Sequence, residues 1–179
     1  LVIIGAGILL LSKYSPPPKE VEQVACTMDP TPQLTEGPYY KTGSPQRTNI
    51  ASDAAGEKLV VSGYVFDKNC WSIPGAWLDF WQADGNGVYD NTGYRLRGHQ
   101  FTDQDGKYIL ETVVPGKYPG RTPHIHVKLR VNNKVLTTQL FLPSEMQNTT
   151  DAVFNPALVM DVKGTDGGKT ATFNFVIDY

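Results

Sequence analysis

From residue 59 onward, apolar and polar residues alternate with a period of two, which is the pattern of half-buried β-strands. Pairs such as Asp-Gly and Asn-Asn, which form turns, separate the alternating runs. Sustained 3.6-residue periodicity is absent, and one short helix is predicted within Thr150–Leu158. The predicted strands are Leu59–Phe66, Gly75–Trp81, Lys107–Val113, His124–Val131, Val135–Leu142 and Ala171–Ile177.

Several short strands with frequent turns predict an all-β fold, an antiparallel β-sandwich or barrel. The composition agrees, because 17 Gly and 13 Pro among 179 residues favour a turn-rich protein, and 40% apolar residues are enough for a packed core. The length fits one domain. A net charge of −2 without a long basic run argues against a nucleic-acid partner.

The chain starts with a continuous apolar run, Leu1–Leu11, followed by Pro16–Pro18. Eleven residues span roughly 16 Å as a helix, less than the bilayer core. We interpret residues 1–25 as the remnant of a signal peptide or N-terminal anchor with a Pro-rich linker, and residues 26–179 as the folded domain. The protein is therefore expected to be exported: secreted, periplasmic or tethered to a membrane. The alternative for the apolar run is a buried strand.

The two cysteines, Cys26 and Cys70, exclude a zinc site made of cysteines alone, which needs four. Export would expose them to oxidising conditions, so one hypothesis is that they form a disulfide. Two free, buried thiols are the alternative.

The segment most informative about chemistry is the predicted strand 124–131. Its apolar residues share one face, so His124 and His126 lie together on the other face, and two imidazoles at this spacing can reach one metal ion. Two histidines and a carboxylate would suit Fe(II), whereas phenolates suit Fe(III). Spacing alone does not choose among the remaining ligand candidates, which are Asp84, Asp90, His99, Tyr89, Tyr94 and Tyr118.

Several stretches, in the same order as in the family, resemble the intradiol ring-cleavage dioxygenases, the protocatechuate and catechol dioxygenases. The resemblance covers roughly residues 34–142 and is strongest for the short protocatechuate-type subunits and for exported single-domain members. The matching stretches are Leu34–Tyr40, Gly75–Asp84, Gly87–Tyr89, Arg97–Asp103, Pro115–Tyr118, Arg121–His126 and Thr137–Gln139.

This resemblance implies a transthyretin-like β-sandwich with one non-haem Fe(III) per chain. Its implied metal ligands are Tyr89, Tyr118, His124 and His126. The implied activity is cleavage of a catechol-type ring with O₂ to a cis,cis-muconate-type product. The partners are then a catecholic small molecule and O₂, and self-association is compatible with the family.

Three residues are implied to be catalytic. Tyr118 is the ligand that accepts a substrate proton, Arg121 stabilises carbanion character on the ring, and Gln139 orients the substrate or intermediates. Arg121 is three residues before His124, so a bend at Pro123 is needed to bring it to the histidine face. His99 matches no ligand of the family.

Two other functions compete with catalysis. A non-catalytic β-sandwich that binds ligands would share the fold, since fold does not fix function. Such a module has no need for two tyrosines, a His-x-His pair, an Arg and a Gln together. A cupredoxin-like copper site would need a His₂Cys ligand set, and Cys70 is far from the histidines in the sequence.

Overall fold

The computed structural model describes residues 27–52 and 54–179. Residues 1–25 and Cys26 lie outside the described residues, so the domain boundary, the anchor, export and the pairing with Cys26 stay predictions; Cys70 is disulfide-bonded. Within the described part of the chain, no helix has the length and apolar character needed to cross a membrane.

Within residues 27–52 and 54–179, nine strands form two sheets, and this confirms the predicted all-β sandwich. One sheet has the order β4-β1-β8-β7, with β9 also pairing with β1, and the other has the order β3-β2-β5-β6. Most pairs are antiparallel, but β8 and β9 run parallel to β1. The strands are β1 (Lys58–Asp67), β2 (Trp77–Gln82), β3 (Arg97–Phe101), β4 (Lys107–Val113), β5 (His124–Val131), β6 (Lys134–Phe141), β7 (Asp161–Thr165), β8 (Gly168–Thr172) and β9 (Phe175–Ile177).

The hydrophobic core lies between the two sheets. On β5, Ile125, Val127 and Leu129 are fully buried and belong to the same core cluster as Leu59 and Val61 of β1. Strand alternation therefore directs the intervening residues of β5 to the outer face of the four-stranded sheet.

The N-terminal part of the described chain runs along the edge of β6 and then over the outer face, where a Cβ at Gly37 would lie 3.4 Å from the His126 ring. Leu34 N donates to Thr137 O at 2.8 Å, and Thr138 Oγ1 donates to Pro32 O at 2.7 Å. A tyrosine pair of this segment, Tyr39 and Tyr40, packs against a small second cluster that includes Trp81. The outer face is consequently buried around His124, His126 and Gln139, although it is not part of the sandwich core, and it is exposed at Arg130 and Val135.

The structure differs from the prediction in four places. Strands β3 and β7 lie in segments where no strand was predicted, and the single strand expected at 171–177 is two strands. The break between β8 and β9 lies over Gly63, where a Cβ would be 1.8 Å from Phe173 O. The predicted helix at 150–158 is a 3₁₀ turn, Pro156–Leu158, and a second one precedes it at Met146–Thr149.

Candidate metal centre

Three nitrogen and oxygen donors meet on the outer face of β5. His124 Nε2 lies 3.1 Å from His126 Nε2 and 3.3 Å from the hydroxyl oxygen of Tyr118. Both histidines are almost fully buried, at 2% and 1% exposure. The i, i+2 spacing thus places both rings on one face, as the sequence predicted, and brings their Nε2 atoms together.

The surroundings of each histidine leave Nε2 directed into the site. His124 Nδ1 contacts Thr122 O at 2.6 Å, and because a carbonyl only accepts, Nδ1 carries the hydrogen and Nε2 keeps a free lone pair. The ring of His126 stacks on Trp81 with centroids 4.7 Å apart and planes 7° apart. The imidazoles are therefore held before any ion binds.

Tyr89 and Tyr118 come from two loops that touch through glycines. A Cβ at Gly116 would lie 2.4 Å from both Gly85 O and Gly87 N, and Gly116 N donates to Asp84 O at 2.8 Å. This close approach places the rings of Tyr89 and Tyr118 edge to face, with centroids 5.8 Å apart. Tyr39 stacks on Tyr89 at 4.2 Å.

Burial keeps all four groups neutral. It raises the pKa of Tyr89, with the neighbouring Tyr118 as a second cause, and it raises the pKa of Tyr118 against the opposing effect of Arg121. Burial also lowers the pKa of His124 to about 4 and lowers the pKa of His126 well below its ordinary value. Neutral imidazoles can ligate a metal, and a bound cation would reverse the preference of the phenols and favour phenolates.

The donor set fits a hard trivalent ion such as Fe(III). In the described part of the chain, no group of three or more His, Cys, Asp and Glu side chains is placed to hold a metal. Beside the two histidines, the oxygen donors at this site are the phenols of Tyr89 and Tyr118. Tyr89 Oη and His126 Nδ1 are buried and have no hydrogen-bond partner among the described residues. Two ligand atoms about 2.1 Å from one ion and about 90° apart would be separated by about 3 Å, close to the Nε2–Nε2 distance.

Arg121 and Gln139 lie beside these donors. Arg121 precedes β5 in a tight turn, with its N–H donating to Tyr118 O at 3.0 Å, so its direction does not follow the alternation of the strand. Its Nη1 is 3.3 Å from Tyr118 Oη, and its Nη2 donates to Gln139 Oε1. Gln139 is fully buried, and its Nε2 donates to Thr35 O at 3.0 Å.

The other ligand candidates are engaged elsewhere. Asp84 Oδ1 accepts the N–H groups of Asn86 and Val88, at 2.9 and 3.0 Å, and shapes the loop that carries Tyr89. The remaining three also make loop contacts: Asp90 accepts backbone N–H groups from residues 92, 93 and 95, Tyr94 Oη donates to Thr42 O, and His99 Nδ1 faces Ser44 O.

Two cavities lie close to these residues, and the second is lined by two candidate ligands. One, of about 560 Å³, is lined by residues next to Gln139 and Asp151, namely Gln33, Leu34, Thr35, Ala152, Val153, Phe154 and Asn155. The other, of about 300 Å³, is lined by Tyr39, Gly87, Val88, Tyr89, Asn91, Tyr118 and Pro119. Among the described residues that line them, none carries a charge.

Sequence reasoning missed Asp151. Its carboxylate is in the interior and accepts a hydrogen bond from Arg121 Nε at 2.9 Å. No spacing or motif relates positions 121 and 151, which are 30 residues apart, so only the structure reveals this contact.

Known proteins share both the sequence and the fold. A family model described as Dioxygenase matches residues 35–178. The alpha chain of protocatechuate 3,4-dioxygenase from Pseudomonas putida is 33% identical over 144 residues, covering 65% of this chain and 71% of that protein. Catechol 1,2-dioxygenase from Acinetobacter baylyi is 28% identical over 170 residues, covering 76% of this chain. The chain spans only about half the length of the catechol 1,2-dioxygenase, 55%, and of a hydroxyquinol 1,2-dioxygenase from Rhizobium sp., 50%.

Solved structures extend the likeness to three dimensions. The dioxygenase domain of a dioxygenase carbohydrate-binding protein fusion from Streptomyces sp. SirexAA-E superimposes with a TM-score of 0.81 at 55% identity, covering 84% of this chain and 99% of that one. An intradiol ring-cleavage dioxygenase from Tetranychus urticae gives 0.78 at 27% identity, covering 84% and 95%. Since a family model matching most of the chain agrees with relatives and solved folds of one kind, the chain belongs to the intradiol ring-cleavage dioxygenase family.

Proposed function

We propose that this chain is a non-haem Fe(III) dioxygenase that cleaves a catechol-type ring with O₂ between its two hydroxyl-bearing carbons. The product is a cis,cis-muconate-type diacid, and both oxygen atoms enter it. One iron per chain is held by Tyr89, Tyr118, His124 and His126. The observation that carries the proposal is that His124 Nε2 lies 3.3 Å from Tyr118 Oη and 3.1 Å from His126 Nε2 in a buried site.

Tyr118, Arg121 and Gln139 have separate roles in the proposed reaction. When bound, ferric iron supplies a Lewis acid and an electron acceptor for a catecholate. With ferric iron bound, Tyr118 would be held as a phenolate, and in that form Tyr118 Oη would take one proton from the catechol and become a phenol. Both Tyr89 and Tyr118 border the cavity, and Tyr118 is the less buried of the two. Arg121 provides a permanent positive charge beside Tyr118 Oη, where it stabilises negative charge on the ring. Gln139 acts through Arg121, which it contacts directly.

The cavities favour an uncharged catechol. A substrate carboxylate would need a cation. Arg121, the cation beside Tyr118 Oη, is already paired with Asp151, and neither cavity lining adds another cation among the described residues. The relatives' names differ in substrate, being protocatechuate for one and catechol for another, so they do not decide the question. We therefore expect catechol or a catechol with a neutral substituent to be the preferred substrate.

Metal content and colour test the ligand set. Iron(III) tyrosinate absorbs in the visible by charge transfer, so the purified protein should be burgundy and contain one iron per chain. Tyr89→Phe and Tyr118→Phe should each shift or bleach the band, because each removes one phenolate. Tyr64→Phe is the matched control, since Tyr64 lies on β1 at the surface. An unchanged band in both site variants would contradict the assignment.

A substrate panel tests the reaction. Catechol, 4-methylcatechol, hydroxyquinol and protocatechuate should be compared by O₂ uptake and by mass spectrometry of the ring-opened product. We expect kcat/KM to be highest for a neutral catechol. A colourless protein that binds catechols without consuming O₂ would instead identify the non-catalytic binding module.

A further inference from the structure

We propose that Asp151 is a positioning residue that holds the guanidinium of Arg121 in its direction toward the candidate metal centre. The catalytic consequence of this role rests on the proposed function, whereas the positioning itself is a property of the chain alone.

Asp151 is built into the interior as a hydrogen-bond acceptor. One carboxylate oxygen, Oδ2, accepts both Arg121 Nε and Thr122 N, each at 2.9 Å. The Asp151 side chain is 1% exposed and that of Arg121 is 17% exposed. A carboxylate this buried is held in place only because it is paired and hydrogen-bonded.

The backbone around Asp151 fixes the carboxylate in turn. Asp151 follows the 3₁₀ turn Met146–Thr149, and its own N–H donates to Gln147 O at 2.9 Å. Its second carboxylate oxygen, Oδ1, accepts Val153 N at 2.9 Å. Both oxygens are thereby occupied, and the carboxylate cannot rotate without breaking backbone hydrogen bonds.

Three acceptors surround the planar guanidinium. Asp151 takes Nε, Gln139 takes Nη2, and Nη1 is left beside Tyr118 Oη at 3.3 Å. Because the guanidinium is planar, hydrogen bonds at two of its nitrogens also fix the direction of the third nitrogen. The contact with Asp151 therefore determines which nitrogen points to the reacting region.

Asp151 also connects to the histidine pair. The peptide whose N–H it accepts belongs to Thr122, and Thr122 O contacts His124 Nδ1 at 2.6 Å. The Asp151 carboxylate thus contacts Arg121 directly and is linked through Thr122 to the candidate ligand His124. A role limited to holding this loop together is the competing explanation, and the experiment must separate it from positioning.

A double-mutant cycle makes that separation. Asp151→Asn keeps the size of the side chain but removes the charge and one acceptor, and we expect kcat to fall by about 10-fold with iron content and colour retained. In an Arg121→Ala background the same substitution should cost nothing further, because the group it positions is absent. Asp161→Asn, which removes a surface carboxylate paired with Lys163, is the matched control and should leave kcat unchanged. Equal losses from Asp151→Asn in both backgrounds would overturn the proposal.

A second measurement does not depend on activity. In the full chain incubated with Ga(III), a diamagnetic ion of the same charge, the Nε–H resonance of Arg121 should exchange slowly with solvent compared with that of exposed Arg130. Asp151→Asn should abolish this protection and Asp161→Asn should not. Fast exchange at Arg121 in the unsubstituted chain would refute the positioning even if Asp151→Asn fails to fold. If no catechol is turned over, the proposed function fails, while the exchange measurement still decides the role of Asp151.

Discussion

At the start of strand β5 both faces are buried, but for opposite physical reasons. Ile125, Val127 and Leu129 on the inner face are fully excluded from solvent by other apolar side chains. His124 and His126 on the outer face are almost as inaccessible, yet they are covered by loops, by Trp81 and by the N-terminal segment. Equal burial therefore does not mean equal energetic role.

The contrast between apolar side chains on the inner face and titratable side chains on the outer face shows which face stabilises the fold. Burying one large aliphatic side chain contributes about 1.5–3 kcal/mol. Burying a titratable imidazole opposes its charged form, and this is why the pKa of His124 falls to about 4. The inner face thus contributes to stability, whereas the outer face gives up some stability because it keeps the candidate metal ligands buried and neutral.

Truncating the inner face should produce the largest effect on stability. Leu129→Ala removes a fully buried side chain from the core, so the free energy of unfolding should fall by about 2–5 kcal/mol. Urea denaturation measures this, with exposed Lys134→Ala as the control. The charge-transfer band should persist while the protein is folded. Loss of the band in folded Leu129→Ala protein would show that the two faces are not separable.

Removing charge from the outer face should affect activity instead. Arg121→Ala should keep iron and colour but lose about 10²–10³ in kcat, by analogy with deleting one preorganised electrostatic donor. Arg121→Lys should restore only part of this, since an ammonium lacks the planar fork. Steady-state kinetics with iron analysis checks both variants. Failure of Arg121→Ala to hold iron would assign Arg121 to the structure of the site.

Acidification should destabilise the metal-free protein because it favours protonation of His124 on the outer face. In the unfolded chain His124 binds a proton near pH 6.5, but in the folded chain only near its lowered pKa of about 4. Unfolding therefore takes up a proton between these values, and stability falls as the pH decreases from 6.5 to 4, by on the order of 3 kcal/mol for this group. His124→Gln should flatten this part of the pH profile, measured by urea denaturation at each pH. An unchanged slope in the variant would exclude His124 as the cause.

The smallest effect is expected from a polar contact at the edge of the outer face. Ser44 Oγ donates to Asp79 Oδ1 at 2.7 Å, and Asp79 is only 2% exposed. Ser44→Ala should cost about 1–2 kcal/mol of stability, because it leaves a buried carboxylate short of a donor. Exposed Ser52→Ala is the control for thermal unfolding. A loss of activity at unchanged stability would contradict this structural role.

Alternation in the sequence predicted which residues of β5 face the core and which face outward, because apolar and polar positions alternate over eight residues. It failed for β3, where Gly98 and Gln100 are the inward residues and no apolar alternation exists. It also failed for β7, whose residues are all exposed or half-buried. Sequence patterns thus detect strands through the core they help to build, and they miss strands at the margins.

The site was predictable only in part. Spacing alone placed His124 and His126 together, but Tyr89 and Tyr118 came from the family resemblance. Their loops meet because Gly116 packs against residues 85 and 87, a contact that no local pattern encodes. Gln139 was assigned to the substrate, and the structure shows its contacts with Arg121 and Thr35.

The segment that covers the outer face has a consequence for biosynthesis. Pro32 and Thr35 accept hydrogen bonds from residues 106 and 104 positions later in the chain. At about 5–20 residues per second, the ribosome needs roughly 5–20 s to produce the strand on which they dock. During this interval Tyr39 and Tyr40 have no sheet to pack against and are available to chaperones and proteases. The first described part of the chain to be synthesised is therefore among the last to reach its native place.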